Sequence, residues 1–173
     1  MVVIVLETER LRLRLISAED AEFFVELLNE PSFLRFIGDK KVRTLDDARN
    51  YILNGPVHSY ESLGFGLYLV ELKESSAPMG ICGLLKRDTL DDVDIGFAFL
   101  PQFWRNGYAL ESAKAVMVHE QKLMGLKRIL AITSPDNEAS IALLEDLGFR
   151  FDRLTRLSDE TPEVKLFSAN LAA

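Results

Sequence analysis

The stretch FWRNGYALESA, residues 103–113, carries residue types that suit anion binding. Arg105 brings a fixed charge, Asn106-Gly107 a tight turn, and the residues that follow have the periodicity of a helix. The first turn of a helix has unpaired N–H groups and a partial positive charge, and both stabilise a phosphate. Gly107 lets a ligand approach the backbone and accepts positive φ, and Ala109 is also small. Arg105, Asn106, Gly107, Tyr108, Ala109 and Leu110 therefore form a candidate pyrophosphate cradle. The same Asn-Gly also serves as an ordinary strand-to-helix turn. The loop follows neither GxGxxG nor GxxxxGKS, so a dinucleotide fingerprint and a P-loop are both excluded.

Other chemically able side chains lie near this loop in sequence. In DVDIGFAFL, residues 92–100, strand parity puts Val93, Ile95, Phe97 and Phe99 on one face. Asp92, Asp94, Gly96 and Ala98 share the other, so Asp94 points away from the apolar row, beside two small residues that leave room for a substrate. A solvated strand carboxylate is the alternative. Asn137 suits a helix N-cap, with Ser140 in the first turn behind it. His58 reads as a surface residue, His119 as structural, Trp104 as a loop anchor, and Cys82, between Ile81 and Gly83, as a core thiol. Two histidines and one cysteine offer no metal-ligand cluster.

These residues need a scaffold, and the pattern supplies one. LRLRLI alternates as a half-buried strand. Ser17 with Asp20 opens a helix that runs to about Asn29 and stops before Pro31. Thr44 with Asp47 opens a second, to about Leu53. Residues 65–73, 79–87 and 92–100 are three apolar runs separated by the turn-like SSAP and DTLDD, an antiparallel meander. A helix from the loop to about Met124 closes on Gly125. KRILAIT is a strand, SPDNEASIALLEDLGF a capped helix ending at Gly148, and FRFDRLTRL and EVKLFSANL two closing strands. The expected fold is α/β (mixed α+β): one mixed, mostly antiparallel sheet of about seven strands with about four helices.

The totals limit the function classes. The chain has 173 residues, 48% apolar and 27% charged, which suits one folded domain spanning 1–173. A net charge of -7 argues against nonspecific nucleic-acid binding. No apolar run approaches the roughly 18 residues of a membrane span. MVVIVLETER lacks a basic n-region and a cleavage site, so it reads as mature protein rather than a signal peptide. A single cysteine precludes an internal disulfide and makes a cytoplasmic location the default.

PQFWRNGYALESA, with DVDIGFAFL before it and SPDNEASIALLEDLGF after it, closely resembles the GNAT N-acetyltransferases, and most of all their ribosomal-protein N-terminal (RimJ/RimL-like) branch. That branch shows Pro-x-x-Trp-Gly-x-Gly-Tyr-Ala-x-Glu-Ala, then Asn-x-x-Ser and Leu-Gly-Phe. Pro101, Trp104, Gly107, Tyr108, Ala109, Glu111 and Ala113 fall in register, as do Asn137, Ser140, Leu147, Gly148 and Phe149. The resemblance reaches from LETERLRLRLI to the last strands. Two positions depart from it: Arg105 stands where the branch has Gly, and Leu144 where many members have a Tyr that protonates the departing thiolate.

The resemblance implies acetyl-CoA as donor, with its pyrophosphate on residues 105–110. Its pantetheine arm would pair with the strand DVDIGFAFL, making Phe97, Phe99 and Leu100 candidates for backbone contacts. Asn137 would reach the arm through its backbone carbonyl or N–H. Asp94 stands where the family often has Glu, and is the candidate proton acceptor for the amine. Ser140 is the candidate donor to the thiolate. The implied acceptor is a primary amine, foremost a protein N-terminal α-amine, with a small amine or a non-catalytic CoA-binding domain as alternatives. Acceptor walls would come from residues 33–60 and 158–163. Many relatives form homodimers, and the residues here leave that open.

Overall fold

The computed structural model describes residues 2–172. Its strands are β1 Ile4–Glu7, β2 Leu11–Arg14, β3 Leu67–Leu72, β4 Pro78–Leu85, β5 Asp94–Phe99, β6 Arg128–Thr133, β7 Arg150–Thr155 and β8 Val164–Asn170. They form one sheet in the order β1-β2-β3-β4-β5-β6-β8-β7. Every neighbouring pair is antiparallel except β5 and β6. The helices are α1 Ala21–Leu28, α2 Pro31–Phe36, α3 Leu45–Ile52, α4 His58–Leu63, α5 Tyr108–Met124 and α6 Glu138–Asp146.

The expected caps are present. Ser17 N–H donates to Asp20 Oδ2 at 2.9 Å, and Asp47 N–H donates to Thr44 Oγ1 at 3.0 Å. Gly125, at φ 63°, ends α5 in the left-handed region. Three elements depart from the sequence reading. β1 was not expected: it is a half-exposed edge strand whose burial does not alternate, so its pairing to β2 leaves no period-2 signal. Pro31 does more than end α1, because it occupies the first turn of α2, where a missing N–H costs nothing. The second helix does not stop near Leu53. It continues through a wide π turn, Leu53–Val57, into α4. That turn absorbs Pro56, which cannot donate to an ordinary helical bond.

Two apolar layers cover the sheet. On one face Leu11, Tyr68, Cys82, Leu84 and Ile95 pack with Ala113 and Val116 of α5 and Leu144 of α6. On the other Leu69 and Ile81 pack with Phe24, Leu27, Ala48 and Ile52 of α1 and α3. Burial pushes the Cys82 thiol up to about 12, against a hydrogen bond from Ser112, so it is a protonated core residue at neutral pH.

The second face also holds an ion cluster. Glu71 accepts from Arg12 Nη1 at 2.8 Å and from Arg14 Nε at 3.1 Å, and Arg14 forks onto Asp20 at 2.8 and 3.0 Å. Asp20 in turn accepts Ser17 N–H in the capping box of the 3₁₀ turn Ala18–Asp20, so the cluster ties β2 and β3 to the turn that leads into α1. Removing Glu71 leaves two mostly buried guanidiniums short of a partner. Glu71→Ala is expected to lower stability by about 3 kcal/mol in a urea titration, with an unchanged m-value.

Candidate active site

The single parallel pair of the sheet creates a gap. β5 is paired along its whole length with β4, from Leu85↔Asp94 to Gly80↔Phe99. Its only register partner on β6 is Asp94↔Leu130, where Leu130 N–H donates to Val93 C=O at 2.9 Å. Beyond that point the two strands part. Leu100 N–H donates to Met79 C=O at 2.9 Å. Antiparallel ladders alternate, so even-numbered residues of β5 turn their backbone groups to β4. Phe97 and Phe99 turn theirs to the gap. An open strand edge of this kind accepts an extended, amide-bearing ligand.

The candidates on this strand are not equivalent. Phe97 N–H and C=O and Phe99 N–H face the gap. Phe99 C=O already accepts from Trp104 Nε1 at 2.8 Å, which makes Trp104 the loop anchor. Leu100 is the least available of the three: its N–H is spent on Met79, and its C=O accepts Phe103 N–H at 3.0 Å. The 3₁₀ turn Pro101–Phe103 uses that carbonyl, so Leu100 has no N–H for a ligand and only the carbonyl's second lone pair.

The loop then climbs to the start of α5. Arg105 has φ 63° and Gly107 φ 79°, so the departure from the family's Gly puts an arginine in the left-handed region. Its guanidinium makes no hydrogen bond among the described residues. Gly107 is the N-cap residue and no side chain caps the helix, which leaves the N–H groups of Tyr108, Ala109 and Leu110 to outside acceptors. A clamp that the sequence reading missed fixes the loop from behind. Arg10 donates from Nη1 to Asn106 C=O at 2.9 Å and from Nε to Glu111 Oε1 at 3.0 Å, and lies 4.5 Å over the Tyr108 ring. Thr8 Oγ1 donates to Glu111 Oε2 at 2.8 Å. Glu111 and the Tyr108 ring are thereby turned toward the β1–β2 turn, away from the open N–H groups. The pairing spans about a hundred residues of chain, with no local signal to reveal it.

At the start of α6, Asn137 Oδ1 accepts Ser140 N–H at 3.2 Å. Asn137 N–H donates to Ser134 C=O at 3.0 Å and its carbonyl accepts Ile141 N–H at 3.1 Å. The N–H expected to reach a ligand is thus spent on the turn before α6, while the carbonyl keeps a second lone pair and Nδ2 is also free to donate. Ser140 is half-buried, and its Oγ bonds to nothing among the described residues. Leu144 is buried in the core, so α6 presents no acid there. Arg35 of α2 reaches Asp136 ahead of α6 at 3.4 Å, so α2 and the start of α6 lie side by side. His58 is exposed, as expected.

Asp94 differs most from expectation. It does lie off the apolar row, but its side chain is only 1% exposed. The room beside it is filled: a Cβ on Gly96 would meet Leu85 Cδ1 at 3.2 Å and Leu67 Cδ2 at 3.6 Å, and Ala98 packs on the α1–α3 layer. Arg87 of the β4–β5 loop donates from Nε to both carboxylate oxygens, at 3.1 and 3.2 Å. Burial pushes the Asp94 carboxyl above the ordinary aspartate range, and Arg87 offsets only part of that.

The open edge and the uncapped helix start together fit a ligand with peptide-like amides and a pyrophosphate. The comparisons agree. The sequence model of the family described as "Acetyltransferase (GNAT) domain" matches residues 10–150. The uncharacterized N-acetyltransferase YoaA of Bacillus subtilis (strain 168) is 30% identical over 154 residues, covering 88% of this chain and 86% of that protein. Among solved structures, the RimL ribosomal L7/L12 alpha-N-protein acetyltransferase in complex with coenzyme A superposes with a TM-score of 0.82 at 16% identity, over 97% of this chain and 98% of that one. The acetyl transferase from Salmonella typhimurium that modifies the N-terminal serine of L7/L12 superposes with a TM-score of 0.81 at 15% identity, over 98% and 99%. At these identities the likeness is one of fold.

Proposed function

The chain belongs to the GNAT acetyltransferase family and is an acyltransferase using acetyl-CoA, and from that premise we propose that it acetylates a primary amine, foremost the α-amine of a protein N-terminus, as one domain over 1–173. The observation that carries the reading is the joining of β5's open edge to the uncapped start of α5. The choice of an N-terminal amine draws on the fold likeness to the RimL protein and the Salmonella typhimurium acetyl transferase, whose descriptions state that activity.

Each residue has a role that its geometry permits. The N–H groups of residues 107–110 and the Arg105 guanidinium hold the pyrophosphate. Phe97 and Phe99 hold the arm's amides as an added strand would. Acetyl-CoA supplies the thioester carbonyl that the amine attacks. An α-amine, with a pKa of about 7.7–8.0, loses its proton far more readily than a lysine at about 10.4. Asp94 takes that proton, and its burial raises its proton affinity toward the range a base needs at neutral pH. Being closed to solvent, it does so through a relay past Arg87. Ser140 Oγ, which is not otherwise engaged, donates to the thiolate.

The test is a direct one: incubate the protein with acetyl-CoA and a panel of N-terminal peptides, lysine-blocked peptides and small amines, and follow thiol release and product mass. Transfer to small amines alone would sink the N-terminal reading. Ser140→Ala is expected to lower kcat about tenfold, the value of one hydrogen bond to a charged group, with the KM for acetyl-CoA unchanged.

A further inference from the structure

This inference rests on the transfer reading and concerns the acceptor's chemistry. Arg87 is held at one end of its guanidinium. Its Nε faces both oxygens of a carboxylate that is 1% exposed, while the arginine side chain is 34% exposed. Its two Nη groups donate to nothing among the described residues. The result is a planar two-nitrogen fork, fixed from behind and open in front, in the geometry that receives a carboxylate bidentately.

The surroundings carry charges of both signs. Lys40, ahead of α3, and Tyr51 on α3 both lie within electrostatic reach of Arg87. The Lys40 pKa is lowered, chiefly by partial desolvation of its ammonium and secondarily by Arg87, and the residue as a whole is exposed. Lys86 Nζ is tied to Leu90 C=O at 2.9 Å, in the same loop as Arg87. The charged neighbours that bear on Asp94 are Arg87 and Lys86. Of the acids in that loop, Asp92 is paired with Arg128 at 2.7 Å, and Asp88 and Asp91 are exposed. The charges at this end of β5 balance, Lys40, Lys86, Arg87 and Arg128 against Asp88, Asp91, Asp92 and Asp94, so the attraction for an anion comes from the open Nη groups of Arg87 rather than from a net positive patch. A polycationic acceptor would set its further ammonium groups against Arg87 and Lys40.

We propose that the open Nη groups of Arg87, with Lys40 within electrostatic reach, take a carboxylate of the acceptor, so that the acetylated amine belongs to an acidic molecule. The shared chemistry is a primary amine with a carboxylate nearby. Asp or Glu among the first residues of a peptide supplies it, and so does a free acidic amino acid. Asp94 then has a second task, holding the fork in place.

The test reads binding as well as turnover. Coenzyme A loading is confirmed first by calorimetric titration, and a protein that fails to load counts against the transferase reading alone. The loaded protein is then titrated with the amidated peptides Ser-Asp-Asp-Phe, Ser-Asn-Asn-Phe and Ser-Lys-Lys-Phe, and with free glutamate. The acidic peptide or glutamate is expected to bind at least about tenfold more tightly than the neutral peptide, and the lysine peptide more weakly than either. Preference for the peptide or for glutamate identifies the source, and both support the proposal. Arg87→Gln is expected to abolish the preference, Arg87→Lys to reduce it while keeping the charge beside Asp94, and Lys40→Gln to reduce it at an exposed site. Circular dichroism checks that each variant folds. Equal binding of acidic and neutral peptides overturns the proposal, as does a preference that survives both Arg87→Gln and Lys40→Gln. Acidic binding without acetyl transfer retains the anion site and counts against the transfer reading.

Discussion

Gly107→Val is expected to fold and to bind acetyl-CoA at least about a hundredfold more weakly than the unmodified protein. The position has φ 79°, where a β-branched residue is strained by roughly 1–2 kcal/mol. A domain with about 5–15 kcal/mol of stability tolerates that. Behind the loop, a new Cβ meets only Arg10 Nη2, at 3.4 Å, and that guanidinium can shift. In front lie the N–H groups proposed to cradle the pyrophosphate. A β-branched residue at φ 79° pulls the loop toward ordinary φ and turns those N–H groups out of line. Losing two charge-assisted hydrogen bonds of about 1.5–3 kcal/mol each gives a hundredfold or more. The measurement is thermal melting with and without saturating acetyl-CoA. The unmodified protein should melt higher with ligand by mass action. The G107V protein should melt slightly lower without ligand and show almost no shift. A shift of unmodified size in G107V would move the pyrophosphate off this loop.

The geometry of the loop was legible in the sequence because it is local. Helix start, positive φ and small side chains all lie within a few residues of Gly107, and the structure places them together. The meander, α5, α6 and both capping boxes were legible for the same reason: period and cap are short-range signals. What could not be read depends on distant pairings. Arg10 and Glu111 meet across the β1–β2 turn, and neither residue's neighbours announce it. Leu100 looked fully available until the turn at Pro101 was seen to use its carbonyl. Strand parity placed Asp94 off the apolar row, but parity says nothing of what fills the other face. Leu85, Leu67 and Arg87 fill it. β1 and the π turn were missed because an exposed edge strand lacks alternation and Gly-Pro reads as an end rather than a widening.

Asp94→Asn is expected to lower kcat by about 10²–10³-fold, the range of a lost general base, and to leave the KM for acetyl-CoA unchanged. The side chain keeps its shape and loses its charge, so the cradle and the open edge are untouched. The pH dependence separates roles. Burial raises the Asp94 pKa above the unfolded value, with Arg87 opposing. The ionised form is therefore disfavoured by folding: the stability this residue contributes is present below its unfolded pKa and lost as pH rises through the folded one. Activity runs the other way, because a base must be ionised. In the unmodified protein kcat should fall as pH drops through the raised carboxyl pKa, and that limb should vanish in D94N. At neutral pH D94N no longer buries a charge, although Arg87 loses its partner. Asp94→Glu, which restores the family's usual residue, should recover part of the rate. If D94N keeps kcat within about threefold while the KM for an acidic peptide rises, Asp94 is no base. It then serves this chemistry only by aiming Arg87, and proton transfer falls to water alone.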